Sequence, residues 1–227
     1  MPIDRNQWRP PVQSGSTAAE RADPDRPERT PNALGGSLLL EQPRYAALRQ
    51  EIAAFVAPGP PLAVEVGFDH GINLLAHARA FPDWRWLGVE LRRHRVEAVR
   101  RNAPENCLPL RLDVRTLFAA LLPAGRVARV DILFPTPALR PAHHFFTPAF
   151  RDDVARALAP GGVLLLRTDV EPLYDHVAEL FAGWPEAAEP QRTPDLSRRE
   201  RVCRRDGLPI WTLCVGHPVT TPGLQGA

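Results

Sequence analysis

The sequence predicts an α/β fold: a doubly wound, Rossmann-like sheet of mostly parallel strands with an antiparallel C-terminal edge. Three observations predict it. From residue 62 onward, short runs rich in Val, Leu and Ala alternate with segments of helical periodicity. Residues 62–90 (LAVEVGFDHGINLLAHARAFPDWRWLGVE) read as a strand, a glycine-bearing turn, a helix and a second strand ending in an acid. At 227 residues, 44% hydrophobic and 24% charged, the chain suits one domain with a substantial core.

Residues 1–36 are rich in Pro, Arg, Asp, Ser and Thr and poor in large aliphatics. Such a segment buries too little surface to offset its ordering entropy, so a disordered tail is expected. The domain is expected over 37–218, with a flexible tail at 219–227. Pro43 suits a helix start, and Leu48, Ile52, Phe55 and Val56 repeat on one face until Pro58-Gly59. Leu62, Ala63, Val64 and Val66 make a buried strand over 62–66. Gly67 and Gly71 let the backbone turn tightly and approach a ligand with no Cβ in the way. Ile72, Leu75 and Ala76, with Leu74 beside them, start a helix over 72–80, and Trp86–Val89 carry a strand over 85–90. Further helices are expected at 92–101, 115–121, 147–158 and 171–182, and strands at 107–112, 127–134 and 161–168. After Trp184 a Pro- and Arg-rich loop leads to strands near 199–204 and 209–215, which close the sheet as an antiparallel edge.

The net charge of +2 does not by itself declare a nucleic-acid partner. All 28 basic residues are arginine, which codon usage in a GC-rich genome explains; phosphate recognition is reserved for local clusters. Two stand out: Arg92, Arg93, Arg95, Arg100 and Arg101, and Arg192, Arg198, Arg199, Arg201, Arg204 and Arg205. Cys107, Cys203 and Cys214 form no C-x-x-C pair, which argues against a zinc ribbon or a disulfide framework and fits a reducing cytoplasm. No apolar run approaches membrane-spanning length. A cytoplasmic monomer with no membrane partner and no metal is the expectation.

In such sheets the ligand lies beyond the carboxyl ends of the strands. The first strand contains Glu65, the second ends at Glu90, the third at Asp113 and the fifth at Thr168-Asp169-Val170-Glu171; the fourth ends at Phe134-Pro135-Thr136-Pro137. Glu90 lies roughly 20 residues beyond the turn, where an acid accepts hydrogen bonds from a ribose diol. Asp113 is suited to an adenine amine or, equally, to capping a helix. The turn lacks G-x-G-x-x-G, and Glu65 and Asp69 would repel a pyrophosphate. S-adenosylmethionine carries no phosphate but has a sulfonium and an ammonium, so it is the preferred cofactor.

Over residues 38–215 the chain resembles the bacterial tRNA (guanine-N7-)-methyltransferases. The family's E-[IV]-G-F/C-G-x-G is echoed by Glu65-Val66-Gly67-Phe68-Asp69-His70-Gly71, and its G-[IV]-E by Gly88-Val89-Glu90. Its acid after the third strand matches Asp113, and its F-P-D-P-W-x-K is similar to Phe134–Arg140. Its T-D-x-E matches Thr168–Glu171, and its terminal T-x-x-E resembles Ser197-Arg198-Arg199-Glu200. The resemblance implies methylation of a variable-loop guanine in tRNA, with Glu65, Glu90 and Asp113 on S-adenosylmethionine. It implies Arg140, Asp169, Ser197 and Glu200 toward the nucleotide. Thr136 replaces an aspartate treated in the family as catalytic, so Thr136 and Asp169 are the catalytic candidates. Asp69 replaces the middle glycine, and the loop after Pro137 is shorter than its counterpart; His143 and His144 in it read as solvated. The alternatives are a paralogue acting on another RNA or a small molecule, and a non-catalytic RNA- or S-adenosylmethionine-binding module.

Overall fold

The structure is a computed structural model that describes residues 43–137, 145–194 and 197–218. The expected tails over 1–36 and 219–227, together with Arg140, His143 and His144, lie outside the described residues. A 3-10 turn at Pro43–Tyr45 feeds α1 (Ala46–Val56). Strands and helices then alternate as β1 (Leu62–Val66), α2 (Ile72–Ala80), β2 (Arg85–Glu90), α3 (Arg93–Arg100) and β3 (Cys107–Arg111). A short helix α4 (Val114–Thr116) widens into a π-turn over Leu117–Leu121. It is followed by β4 (Val127–Leu133), α5 (Pro148–Ala157), β5 (Leu158–Thr168), α6 (Glu171–Leu180), α7 (Arg198–Arg205) and β6 (Trp211–Gly216).

The sheet runs β3-β2-β1-β4-β5-β6. All pairs are parallel except β5 with β6. The connections after β1 and β4 diverge, and a crevice opens where the strand order reverses. All five residues of β1 are buried, because helices cover both faces of a parallel sheet. One face packs Val64, Val66, Val130, Ile132, Leu164 and Leu166 against α1, α4, α5 and α6. The other packs Ala63, Trp86 and Cys107 against Leu74 and Ala78 of α2 and Val96 and Val99 of α3. On that second face Leu133 and Leu165 meet Cys203 of α7.

The strands expected at 62–66 and 85–90 and the helix at 72–80 have those bounds. β5 begins earlier than expected, at Leu158. The strand expected near 199–204 is corrected: residues 198–205 form α7. Ser197 caps this helix, its Oγ accepting the Glu200 N–H at 3.0 Å. Arg204 returns to Glu200 one turn back at 3.0 Å. Gly207, at φ +65°, ends the helix as the Leu208 N–H reaches the Cys203 carbonyl at 2.9 Å. Such local signals outweigh the β-propensity of one valine and one cysteine. The sheet therefore has six strands among the described residues, and a single antiparallel bridge, Glu186 to Val215, marks the position beyond β6.

Candidate functional site

A cleft of about 1140 Å³ opens at the carboxyl ends of β1 to β4. Of the sequence-predicted cofactor residues, Glu65, Gly67, Glu90 and Asp113 line it, and Gly71 does not. Gly67 adopts φ +74° and donates its N–H to the Val89 carbonyl at 2.8 Å, which ties the turn to β2. Gly71 serves the turn differently. At φ +71° it starts α2, and a Cβ there would lie 2.6 Å from Val99 Cγ2, so it sets the α2–α3 approach. Asp69 also takes a positive φ, 47°, a region that Asp tolerates better than most residues. Its carboxylate leans toward α3, 3.2 Å from Arg92 Nη2 and 3.6 Å from Arg95 Nε.

The three predicted carboxylates differ in their surroundings. Glu90 accepts from the backbone of Leu91 at 2.9 Å, Arg92 at 3.0 Å and Asp69 at 3.3 Å, and pairs with the Arg92 side chain at 3.2 Å. Asp113 caps α4 through the Arg115 N–H at 2.9 Å and meets the Arg115 guanidinium at 2.7 Å. Glu65 is the exception: its buried Oε2 accepts no hydrogen bond. Burial, reinforced by the neighbouring Asp131, pushes its carboxyl well above the ordinary value of 4.5.

The opposite wall comes from the β4 end and α7. Leu133–Pro137, Ser197, Arg198, Arg199 and Val202 line it. Phe134 holds φ 51°, an outlier for a bulky side chain, and its N–H is fixed by the Arg167 carbonyl at 2.7 Å. That bend brings Thr136 to the cleft. Asp169 and Glu200 do not line it. Asp169 accepts from Arg199 Nε at 2.9 Å. Glu200 is fully buried and gripped by Arg167 and Arg192 at 2.8 Å each and Arg204 at 3.0 Å. Burial opposes its charge, but hydrogen bonds from Arg192 and Arg204 and the field of Arg167 hold its carboxyl below the usual range. Among the described residues, the carboxylates lining the cleft (Glu65, Asp69, Glu90, Asp113) therefore belong to the β1–β3 side.

Sequence reasoning missed the buried polar layer beneath this site. On β4, Arg129 and Asp131 form an ion pair at 2.8 Å, at 4% and 1% exposure. Arg129 also lies 5.3 Å from the Trp86 ring and donates to the Gln191 carbonyl at 2.7 Å. The signal was available: in VARVDIL two opposite charges stand two apart inside an apolar strand, hence on one face of it. Ser197-x-x-Glu200 was likewise readable as a helix N-cap signature.

An acid-lined cleft with an unsatisfied carboxylate seeks a cationic ligand. Asn73 Oδ1, also buried and without a donor, lines the same floor. These residues fit S-adenosylmethionine: Glu65 with Asn73 for the ammonium, Glu90 for the ribose and Asp113 for the adenine amine. Among the described residues no three His, Cys, Asp or Glu side chains cluster as a metal site, and no helix is long and apolar enough to cross a membrane.

Residues 60–206 match the family described as "Putative methyltransferase". The chain is 34% identical over 170 residues to the tRNA (guanine-N(7)-)-methyltransferase of Synechococcus sp. (strain JA-3-3Ab), covering 67% of this chain and 71% of that protein. It is 37% identical over 178 residues to the enzyme of that name from Anaeromyxobacter dehalogenans (strain 2CP-C), covering 71% and 88%. Among solved structures, the 16S rRNA methyltransferase KamB matches with a TM-score of 0.52 at 17% identity, over 75% of this chain and 94% of that one, a likeness of fold. Motifs, sheet order, acid-lined cleft and kinship agree, and the chain belongs to the bacterial tRNA (guanine-N(7)-)-methyltransferase family.

Proposed function

We propose that this chain methylates N7 of a guanine in the variable loop of tRNA, with S-adenosylmethionine as the methyl donor. The observation that carries the reading is the set of charges lining the cleft. Its floor is acidic, with Glu65 unpartnered, while Arg92, Arg93, Arg198 and Arg199 line it from two sides. An acidic floor favours a cationic donor, and an arginine rim favours RNA phosphates. The family's tRNA-acting members support the same substrate.

When bound, the donor supplies an electrophilic methyl group on a sulfonium. Guanine N7 has a free lone pair, so the protein needs no general base and contributes alignment. Thr136, at the end of β4, faces the cleft between the acid wall and α7. Its hydroxyl orients the purine without the charge of a carboxylate. Absence of one such stabilising group typically lowers a rate about 10²–10³-fold, so a slow enzyme is expected. Ser197 and Arg198 stand at the mouth and are assigned to the nucleotide and its phosphates, with Arg140 as a further candidate. Asp169 acts through Arg199, and Glu200 through the placement of α7. We assign the protein to the cytoplasm, as a monomer.

The test is incubation of the purified chain with methyl-labelled donor and unmodified tRNA, followed by nucleoside analysis. Label in 7-methylguanosine at the variable loop is the expected result. Label in another nucleoside would overturn the substrate. One observation favours a binding module instead, since among the described residues no carboxylate from the α7 side lines the cleft; donor binding with no transfer to any RNA would decide for it.

A further inference from the structure

We propose that Glu65 holds a proton in the ligand-free protein and that capture of the donor's ammonium group expels it, with Asp131 as the positioning residue that sets this exchange. The inference rests on the cofactor reading above and adds a proton to it.

Glu65 and Asp131 are register partners on adjacent parallel strands, so their side chains leave the same face of the sheet side by side. Both are buried. Among the described residues, the charged and titratable groups acting on Glu65 are Arg129 and Asp131 from β4, Arg192 from the segment before α7 and Cys107 from β3, with His77 of α2 behind them, 3.4 Å from Arg129 Nη2. The hydrogen bonds of the two arginines go elsewhere, although the buried Arg192 Nε has no acceptor. Arg129 donates its Nε to Asp131 Oδ1 at 2.8 Å and its Nη1 to Gln191, and its Nη2 lies 2.8 Å from Asp131 Oδ2 in the ion pair and 3.4 Å from His77 Nε2. Arg192 is 2.8 Å from Glu200. His77 is disfavoured as a cation by burial, and its ring Nδ1 is bound to the Asn73 carbonyl at 2.8 Å. Burial pushes the Cys107 thiol to about 12, so it is neutral.

Glu65 therefore has the Asp131 carboxyl beside it and, among the described residues, no cation in hydrogen-bond contact. A buried carboxylate in that position is relieved by taking up a proton. Glu65 lines the cleft, where Asn73 Oδ1 is also without a donor. An entering ammonium brings both a charge and N–H donors. The O–H bond of the Glu65 carboxyl breaks, the proton leaves to the buffer, and the new carboxylate accepts from the ammonium. The net charge of the pocket stays constant: one proton out, one cation in.

The sign follows from linkage. Below the ligand-free titration point of Glu65, each bound donor releases a proton, and affinity rises with pH by up to about tenfold per unit. Above that point Glu65 is already ionised and affinity levels off. The test is calorimetry of the full chain with S-adenosylhomocysteine, from about pH 5 to about pH 7, in buffers of different ionisation heat. Proton release with rising affinity is expected, and Asp131→Asn should shrink both. A wild-type affinity flat with pH, with no proton release, overturns the proposal. Carbon-13 titration of the Glu65 carboxyl in the ligand-free wild type, assigned through Glu65→Gln, tests the first half without the ligand or the Asp131 variant. Titration in the ordinary carboxyl range overturns it. Titration above that range, with no S-adenosylhomocysteine bound at any pH, upholds the held proton but overturns the exchange along with the cofactor reading.

Discussion

Glu65 and Glu200 are both buried acids on the α2–α7 side of the sheet, yet their surroundings drive them in opposite directions. Glu65 has Asp131 as its register neighbour and an oxygen without a donor, and its carboxyl is pushed up. Glu200 has Arg167, Arg192 and Arg204 around it, and its carboxyl is held down. Burial is common to both, so the partners decide the charge state. The first acid is left wanting a cation and opens to the cleft. The second is spent on structure, clamping α7 to β5 and to the segment before it.

The comparison is broken or sharpened by five substitutions. Glu200→Ala leaves three arginines without their shared acid, and breaking a buried pair typically costs about 3–5 kcal/mol. Chemical denaturation should show that loss; a change below about 1 kcal/mol would mean that the clamp contributes little. Thr136→Asp puts a carboxylate on the seam between the two walls. It should raise the single-turnover methylation rate by up to about 10²-fold, and an unchanged or lower rate would count against the electrostatic role. Gly71→Ala sets a Cβ 2.6 Å from Val99 Cγ2 in a positive-φ position. It should destabilise the cofactor side by about 1–3 kcal/mol in the same denaturation measurement. A neutral result would show that α2 and α3 separate easily.

The smallest effects are the pH slopes. Glu65 is raised in the folded state, so the stability of its neutral form is fully present below the ordinary value of 4.5. It is lost as pH rises through the folded value, at no more than about 1.4 kcal/mol per unit. Glu200 is lowered, so its contribution is present above 4.5 and disappears as pH falls through the folded value. Differences between wild type and Glu65→Gln and between wild type and Glu200→Gln, plotted against pH, should therefore slope in opposite senses. Parallel slopes would contradict the assignment.

What the sequence displayed and what it hid follow from chain separation. The β1–turn–α2–β2 unit is built from consecutive residues, and its strand bounds, turn glycines and the acids at 65 and 90 were all readable from periodicity and spacing. Asp113 was readable as well, with its capping alternative, and the structure shows it capping α4. The α7 side depends on groups far apart in the chain: Arg167 meets Glu200 across 33 positions and Arg199 meets Asp169 across 30. Spacing carries no signal of that kind, which is why residues 199–204 look like an edge strand in sequence. The capping pattern around Ser197 was nevertheless local, and weighing it would have given the helix. The Arg129–Asp131 pair was visible as charges in an apolar strand, but its meaning depends on Glu65 standing beside it across the β1–β4 pairing.

A crystal structure of the chain with S-adenosylhomocysteine bound is the most direct examination of the acid floor. The ligand's amino group should contact Glu65, its ribose hydroxyls Glu90 and its adenine amine Asp113, with the sulfur turned toward Thr136. A ligand bound elsewhere, or Glu90 and Asp113 still paired with Arg92 and Arg115 at saturating ligand, would contradict the account.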